Sequence, residues 1–379
     1  MNRTLPSAQT KYQTLVTRLL DTAGVKIGGP NPWDIQVHND GFYKRVLADG
    51  ETGMGESYMD GWWDAERVDE LICKILQADL DNKISLHWPE LWRVTKLRLL
   101  NLQTKKMAFV NGQKHYDLGN DLFQAMLDSR MNYSCGYWKN ASCLCQAQEN
   151  KLDLICRKLY LKPGMRVLDI GCGWGAFGKF AAEKYGVKVV GITVSKEQMK
   201  LGQQLCGGLN VEFRMMDYRN TTGQYDRVVS VGMLEHVGYK NYRSFFETCC
   251  RCLTDGGLFL LHTIGSNHSV RSINGWTNKY IFPNAMLPSL SQLSVATEGL
   301  FIAEDLHNFG TYYDDTLMAW YHNFKNNWHQ IEKDYPSPFF RMWEYYLLSS
   351  AGGFRARKMQ LWQIVLSKYG VAGGYESVR

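Results

Sequence analysis

Residues 167–178 read VLDIGCGWGAFG, and no other stretch constrains the fold as tightly. An apolar run, Val167–Ile170, leads into glycines at 171, 173 and 175 and then into a segment of helical character. A strand that turns at once into a helix needs a tight turn. A ligand lying on that turn needs backbone without side chains in the way, and glycine meets both demands. The sequence around the loop repeats the same alternation. Strands are predicted at Arg166–Ile170, Lys188–Thr193, Val211–Met215, Tyr225–Val231 and Leu258–Thr263, and later at Phe301–Leu306 and Leu361–Ser367. Runs such as VVGITV and LFLLHTI are apolar on both faces, as strands covered by helices on both sides must be. Strand, helix, strand in succession predicts an α/β fold: a doubly wound, Rossmann-like sheet.

The N-terminal part differs. Helical spacing runs through residues 11–20 and 67–80, as in Val68, Leu71, Ile72, Ile75, Leu76, with no long strand alternation. We read residues 1–88 as a small, mostly helical domain. Residues 89–112 form a basic, helix-containing linker, and residues 113–379 the catalytic domain. Two insertions, 265–299 and 315–352, interrupt the predicted sheet. They carry Ile281, Phe282, Met286, Leu287, Phe324, Trp328, Phe339, Phe340, Trp343 and Tyr346, spaced either for a core or for a lipid-facing helix.

Net charge is +6, from 43 basic and 37 acidic side chains, too mild and too dispersed for a nucleic-acid partner. The closest basic runs are Arg93, Lys96, Arg98, Lys105, Lys106 and Arg355, Arg357, Lys358, either solvated helix faces or contacts to an anionic bilayer. The ten cysteines are too scattered or too close-set for a disulfide framework, and Cys249/Cys252 has no second pair to make a zinc site, so no metal is expected. Reduced thiols, no apolar leader in MNRTLPSAQT and no long apolar run point to a cytoplasmic protein that meets any membrane from the water side.

A glycine loop alone also fits a dinucleotide site. Such a site asks for an acid at the end of the next strand to bind ribose hydroxyls, and here that strand ends GITVS, with Thr193 and Ser195. Asp169, just before the glycines, crowds a pyrophosphate but suits an ammonium group. The loop is therefore read as binding S-adenosylmethionine. Asp217, at the end of the third strand, is placed to accept from an adenine amino group, Tyr218 to pack on the base, and Gln198 to reach the ribose.

Further segments carry a family resemblance. HYDLGNDLF (115–123), MNYSCGYW (131–138), VLDIGCGWG (167–175), GITVSKEQ (191–198), VSVGMLEHVG (229–238), FLLHTIG (259–265) and NKYIFPNAMLPS (278–289) together resemble the bacterial cyclopropane-fatty-acyl-phospholipid synthases. The likeness reaches GESYMDGWW (55–63) and GGFRARKMQLWQ (352–363), and so spans nearly the whole chain. The related mycolic acid cyclopropane synthases resemble the second domain alone. The resemblance implies cofactor contacts at Tyr133, Ser134, Gly171, Cys172, Gly173, Thr193, Gln198, Asp217 and Tyr218. It also implies a bicarbonate ion held by Cys135, Glu235, His262, Ile264 and Tyr313. It further implies a homodimer at the inner face of the cytoplasmic membrane, acting on unsaturated acyl chains of phospholipids. Some members carry a cysteine where this chain has Ser350, so no thiol nucleophile is assigned there.

The chemistry explains such a site. An isolated alkene attacking a sulfonium methyl leaves a carbocation on the acyl chain, which aromatic faces stabilise without quenching, at roughly 0.5–2 kcal/mol each. Tyr133, Tyr137, Trp138, Tyr280 and Tyr313 are candidates, although aromatics also simply fill cores. Two other readings share the loop: a methyltransferase of a soluble substrate, and a lipid-binding protein without catalysis.

Overall fold

The computed structural model describes residues 8–80, 119–270 and 272–379. The expected linker, the basic residues Arg93–Lys106 and the first residues of the 115–123 motif lie outside them. The chain divides into two compact units, neither continuous in sequence. One comprises Met1–Leu99, Ile273–Pro283 and Leu317–Lys358; the other comprises Leu100–Ser272, Asn284–Thr316 and Met359–Arg379. The linear division changes accordingly. Residues 273–283 of the first insertion and most of the second belong with the N-terminal helices rather than with the sheet.

The reason lies in what those segments bury. In the first unit, helices Ala8–Thr22, Gly41–Met59 and Val68–Gln77 are joined by helices Gly275–Tyr280 and Phe339–Arg355. Glu344 accepts hydrogen bonds from the hydroxyls of Tyr58 (2.6 Å) and Tyr321 (2.9 Å). Asp69 is buried and takes both Arg67 and Arg355 at 2.7 Å. Burial raises its pKa, but the two guanidinium groups outweigh that and hold it below its ordinary value. Phe324 stacks on Phe340, and Phe339 on Trp343, and Phe324 and Trp343 have no exposed surface. These insertion aromatics are this unit's core, not an outward lipid face. The basic run is also largely engaged, since Arg355 pairs with Asp69 and Lys358 with Asp79 at 2.6 Å.

The second unit holds a seven-stranded sheet. We number its strands β1 (Arg166–Ile170), β2 (Lys188–Thr193), β3 (Val211–Met215), β4 (Tyr225–Val231), β5 (Leu253–Ser266), β6 (Ile302–Asn308) and β7 (Met359–Ser367). The spatial order is β3-β2-β1-β4-β5-β7-β6. All neighbours are parallel except those of β7, which runs antiparallel between β5 and β6. The predicted strands are all present. The fifth is longer than predicted at both ends, and its pairing with β7 continues from Leu258 to Ser266. Side-chain alternation divides the core. Leu168 and Ile170 pack on one face with Phe245, Phe246 and Cys249 of helix Tyr242–Cys252. Val167 packs on the other with Leu152 and Ile155 of helix Leu144–Lys158 and Phe177 and Phe180 of helix Ala176–Tyr185. The order reverses at β1, where chains leaving β1 and β4 part and open a crevice at the carboxyl ends.

Within the first unit, a Cβ on Gly352 would lie 2.5 Å from the backbone oxygen of Asp69. Backbone cannot step aside cheaply, so we expect Gly352→Ala to destabilise by about 1–3 kcal/mol of overpacking. This exceeds the roughly 1 kcal/mol that alanine gains in a helix. The denaturation midpoint of the variant is expected to fall, and an unchanged or higher midpoint would contradict the close approach.

Candidate functional site

The loop after β1 is shaped by its glycines. Gly171, Gly173 and Gly175 have φ of 81°, 55° and 85°. The N–H groups of Gly171 and Cys172 both donate to the Ile192 carbonyl, at 3.0 and 3.1 Å, which ties the turn to β2. A Cβ at Gly171 would strike Met233 at 2.7 Å, and one at Gly175 would strike Phe213 at 2.5 Å. At Gly173 a Cβ would meet nothing within 4 Å, so its backbone faces open space, where a ligand can approach. The two flanking glycines make the turn, and Gly173 leaves it accessible. Asp169 and Cys172 flank the turn, both buried. Burial pushes the Asp169 carboxyl up to about 7, with the Lys151 charge working against the rise.

The next two strand ends stand beside this loop. Thr193 Oγ1 donates to Gln198 Oε1 at 3.1 Å, and Ser195 caps the following helix by accepting from the Gln198 N–H at 3.3 Å. Both Thr193 and Gln198 are buried. Asp217 is more occupied than expected. Its carboxylate accepts from Arg219 N, Nε and Nη2 at 3.0, 2.7 and 2.7 Å. Arg219 thus fills most of the about four acceptor positions a carboxylate has. Tyr218 is buried edge-on against Phe245, with the Arg219 guanidinium 5.2 Å from its ring.

Residues 132–136 bring Tyr133, Ser134 and Cys135 to the same end of the sheet. Tyr133 packs on Phe123 at 5.1 Å, and Phe123 on Trp174 of the glycine loop at 5.0 Å. Two buried residues of helix Leu144–Lys158 pin the segment. Gln148 donates to the Ser134 carbonyl at 2.8 Å, and Lys151 donates to Asn132 Oδ1 and Ser134 Oγ at 2.9 and 2.8 Å. Cys135 has no exposed surface, and burial drives its thiol pKa well up, so it is neutral. Thr316 joins this segment to helix Tyr312–Ile331, accepting from the Gly136 N–H at 3.0 Å and the Trp138 indole at 2.9 Å. Tyr313, buried, lies in the first turn of that helix.

Glu235 and His262 come from adjacent strands. Glu235 sits in the short 3₁₀ turn Leu234–His236 just after β4. Its Oε1 accepts from the Ile264 N–H of β5 at 2.6 Å, and its own carbonyl accepts from Met286 N–H at 2.8 Å. Burial raises its carboxyl to about 7, although the Ile264 N–H favours the ionised form. His262 lies on β5, opposite Val231 and Gln363. Burial, reinforced by the charges of Lys151 and Lys158, lowers its pKa well below the usual value and keeps the ring neutral. Gln363 Nε2 meets His262 Nδ1 at 3.3 Å. With the Gln363 amide turned this way its N–H donates, Nδ1 accepts and the ring proton resides on Nε2. Glu235 Oε2 and His262 Nε2 are both buried without a hydrogen-bond partner in the protein. Buried polar atoms are rarely left so, and an open acceptor and an open neutral donor in one unit suit a small polar group with both capacities.

The cofactor residues expected from the sequence, and Cys135, Glu235, His262, Ile264 and Tyr313, all belong to the second unit. Tyr280 is not among them: it belongs to the first unit, where its hydroxyl donates to Glu56 at 2.9 Å. Tyr137 packs against His307, Phe309 and Tyr312. Sequence reasoning missed Gln148, Lys151, Thr316 and Gln363. The signal for the first two was present: both fall on the apolar stripe Leu144, Ala147, Leu152, Ile155 of their helix, where a polar residue needs a buried partner.

The family model described as mycolic acid cyclopropane synthetase matches residues 103–364. The cyclopropane-fatty-acyl-phospholipid synthase of Escherichia coli (strain K12) is 52% identical over 368 residues, 97% of this chain and 96% of that one. Among solved structures, the cyclopropane synthase MmaA2 from Mycobacterium tuberculosis is 29% identical with a TM-score of 0.64, covering 69% of this chain and 98% of its own. The mycolic acid cyclopropane synthase CmaA1, complexed with SAH and CTAB, is 32% identical with the same TM-score and the same coverage. Matches of this extent, on a sheet with this strand order, show that the chain belongs to the cyclopropane synthetase family of S-adenosylmethionine-dependent methyltransferases.

Proposed function

We propose that the protein transfers a methylene group from S-adenosylmethionine to the cis double bond of unsaturated acyl chains in membrane phospholipids, forming a cyclopropane ring. The observation that carries this reading is the pair of orphaned buried atoms, Glu235 Oε2 and His262 Nε2, in the unit that carries the bare backbone of Gly173. The cofactor supplies an electrophilic methyl group: the alkene pair bonds to its carbon, and the carbon–sulfur pair stays on sulfur. The positive charge passes to the neighbouring acyl carbon until the new methyl loses a proton and the freed C–H pair closes the ring. A bound bicarbonate supplies the base.

The chain's own residues hold these parts. Tyr133, Ser134, Asp169, Gly171, Cys172, Gly173, Thr193, Gln198, Asp217 and Tyr218 bind the cofactor. Asp169 offers its carboxylate to the ammonium group, and Thr193 with Gln198 faces the ribose. Glu235 Oε2 would accept the ion's hydrogen, and His262 Nε2–H would donate to one of its oxygens. Cys135, Ile264 and Tyr313 complete the cradle, without a thiolate. A neutral histidine is the right partner here, since it donates without presenting a second cation to a cationic acyl chain. Tyr313 and the ring cluster at Tyr137 supply aromatic faces toward that charge.

Lipid access is the remaining part of the proposal. Among the described residues no helix is long and apolar enough to cross a membrane. Leu290 (44% exposed) and Val295 (70% exposed) on helix Leu290–Thr297 offer apolar contacts to a bilayer surface. We assign the N-terminal helices to dimerisation and to contact with the inner face of the cytoplasmic membrane, where two weak contacts on one dimer gain by effective concentration.

The direct test supplies methyl-labelled S-adenosylmethionine with vesicles of monounsaturated or saturated phospholipid. Label is expected only in unsaturated lipid, with loss of its vinyl proton signals. Label with persistent vinyl signals means that something else is methylated. Glu235→Ala and His262→Ala are expected to lower turnover by about 10²–10⁴-fold while binding S-adenosylhomocysteine as the parent does. Stripping bicarbonate from the buffer should lower the parent's rate, and adding it back should restore it; a rate indifferent to bicarbonate sinks that assignment. Glu235 also makes stability depend on pH. Its folded pKa, about 7, lies above the ordinary carboxyl value of 4.5, so the folded state binds the extra proton between those values and loses stability as pH rises across them. Glu235→Gln is therefore expected to raise the denaturation midpoint more at about pH 8 than at about pH 5; an equal shift at both would contradict it.

A further inference from the structure

Lys151 is a lysine with 1% of its surface exposed, on the face of its helix that packs Leu152, Ile155 and Cys156 into the core. Its ammonium group has only donors, and two of the three go to Asn132 Oδ1 and Ser134 Oγ at 2.9 and 2.8 Å. The Ser134 hydroxyl must then accept from Lys151, and its single proton is left to donate elsewhere. Asn132 is held in turn by Asp128, which accepts from its N–H and Nδ2 at 2.8 and 2.9 Å, and Gln148 holds the Ser134 carbonyl at 2.8 Å. The network is buried throughout. Burying a cation is unfavourable unless its partners offset the lost hydration, and a neutral side chain would suffice to brace a loop.

We propose that Lys151 is a positioning residue of the cofactor site: it sets the Ser134 hydroxyl as a donor and supplies the positive charge that acts on the buried Asp169, the residue proposed to meet the ammonium of S-adenosylmethionine. The proposal rests on the cofactor reading given above. The electrostatics agree with the geometry. Burial lowers the Lys151 pKa to about 8, with Asp128, Cys135 and Asp169 acting in the other direction. Burial raises Asp169 to about 7, and Lys151 opposes that rise. His262 also feels the Lys151 charge, which helps keep its ring neutral. Near neutral pH Lys151 is thus charged while Asp169 stands at the edge of ionisation. A ligand ammonium needs the carboxylate form, and any proton Asp169 carries passes to the buffer on binding.

The sign follows. Affinity for a ligand with that ammonium falls as pH drops through the Asp169 pKa. Removing the Lys151 charge raises that pKa further and moves the fall to higher pH. The experiment is calorimetric titration of the full chain with S-adenosylhomocysteine between about pH 6 and 9, in two buffers of different ionisation enthalpy to count released protons. For the parent, weakening and proton release are expected as pH falls through neutrality. For Lys151→Met, at least about tenfold weaker binding near pH 7 is expected, with the acid limb displaced upward by about one pH unit or more. On a Ser134→Ala background the loss caused by Lys151→Met should be smaller, because part of it acts through that hydroxyl. An unchanged limb overturns the proposal, and so does a Kd raised equally at every pH, the mark of a merely structural role. Asp169→Asn, which keeps Lys151, supplies a second reading should Lys151→Met fail to fold. Its binding is expected to lose the acid limb, and a limb that persists overturns the proposal. A parent chain that binds no S-adenosylhomocysteine at any pH removes the cofactor reading itself, and this proposal with it.

Discussion

Desolvation of ionisable groups is the constraint around which the catalytic unit is organised. Asp169, Glu235, His262, Lys151 and Lys158 are each at most 5% exposed. Burial displaces every one of them toward its neutral form. Such groups destabilise a fold unless they answer to one another or to a ligand. The unit meets part of the demand internally, through Ile264 N–H on Glu235 and through Asn132 and Ser134 on Lys151. The rest is left open at Glu235 Oε2 and His262 Nε2. Site and scaffold are therefore not separable here, because the same buried atoms that weaken the empty fold give it selectivity for what it binds.

Electrostatic logic also separates the two halves of the site. Around the glycine loop the available charge is acidic and adjustable, at Asp169. Around β4 and β5 the groups are held as a near-neutral acceptor and a neutral donor. Both halves stand at one edge of the sheet, because parallel strands deliver successive loops there.

The sheet was almost wholly legible in the sequence. Its strands are short apolar runs between turn signals, and the departures were confined to strand ends, where pairing with β7 rather than local composition decides where β5 stops. The glycine loop and Glu235 directly follow strands, as read from the sequence, whereas His262 lies inside β5, which runs on to Ser266. Asp217 was half legible, because nothing in its own neighbourhood announced that Arg219 would fold back on it. Gln363 could not be read, since it reaches His262 only through antiparallel pairing 101 positions away. The insertions misled in another way. Helical spacing of Phe324, Trp328, Phe339 and Trp343 is the same for a membrane face and for a core, and only the partners decide.

Those partners have a consequence for how the chain is made. Tyr58 and Glu344 are bonded across 286 positions, and Asp69 and Arg355 across another 286. The N-terminal helices thus leave the ribosome long before the segments that complete their core, and must wait with apolar surface uncovered while the whole sheet is synthesised. Closing such distant contacts is slow, and the waiting surface is open to wrong partners. For these segments, order of synthesis and order of completion differ, because helices made earlier are finished only once Phe339–Arg355 has followed.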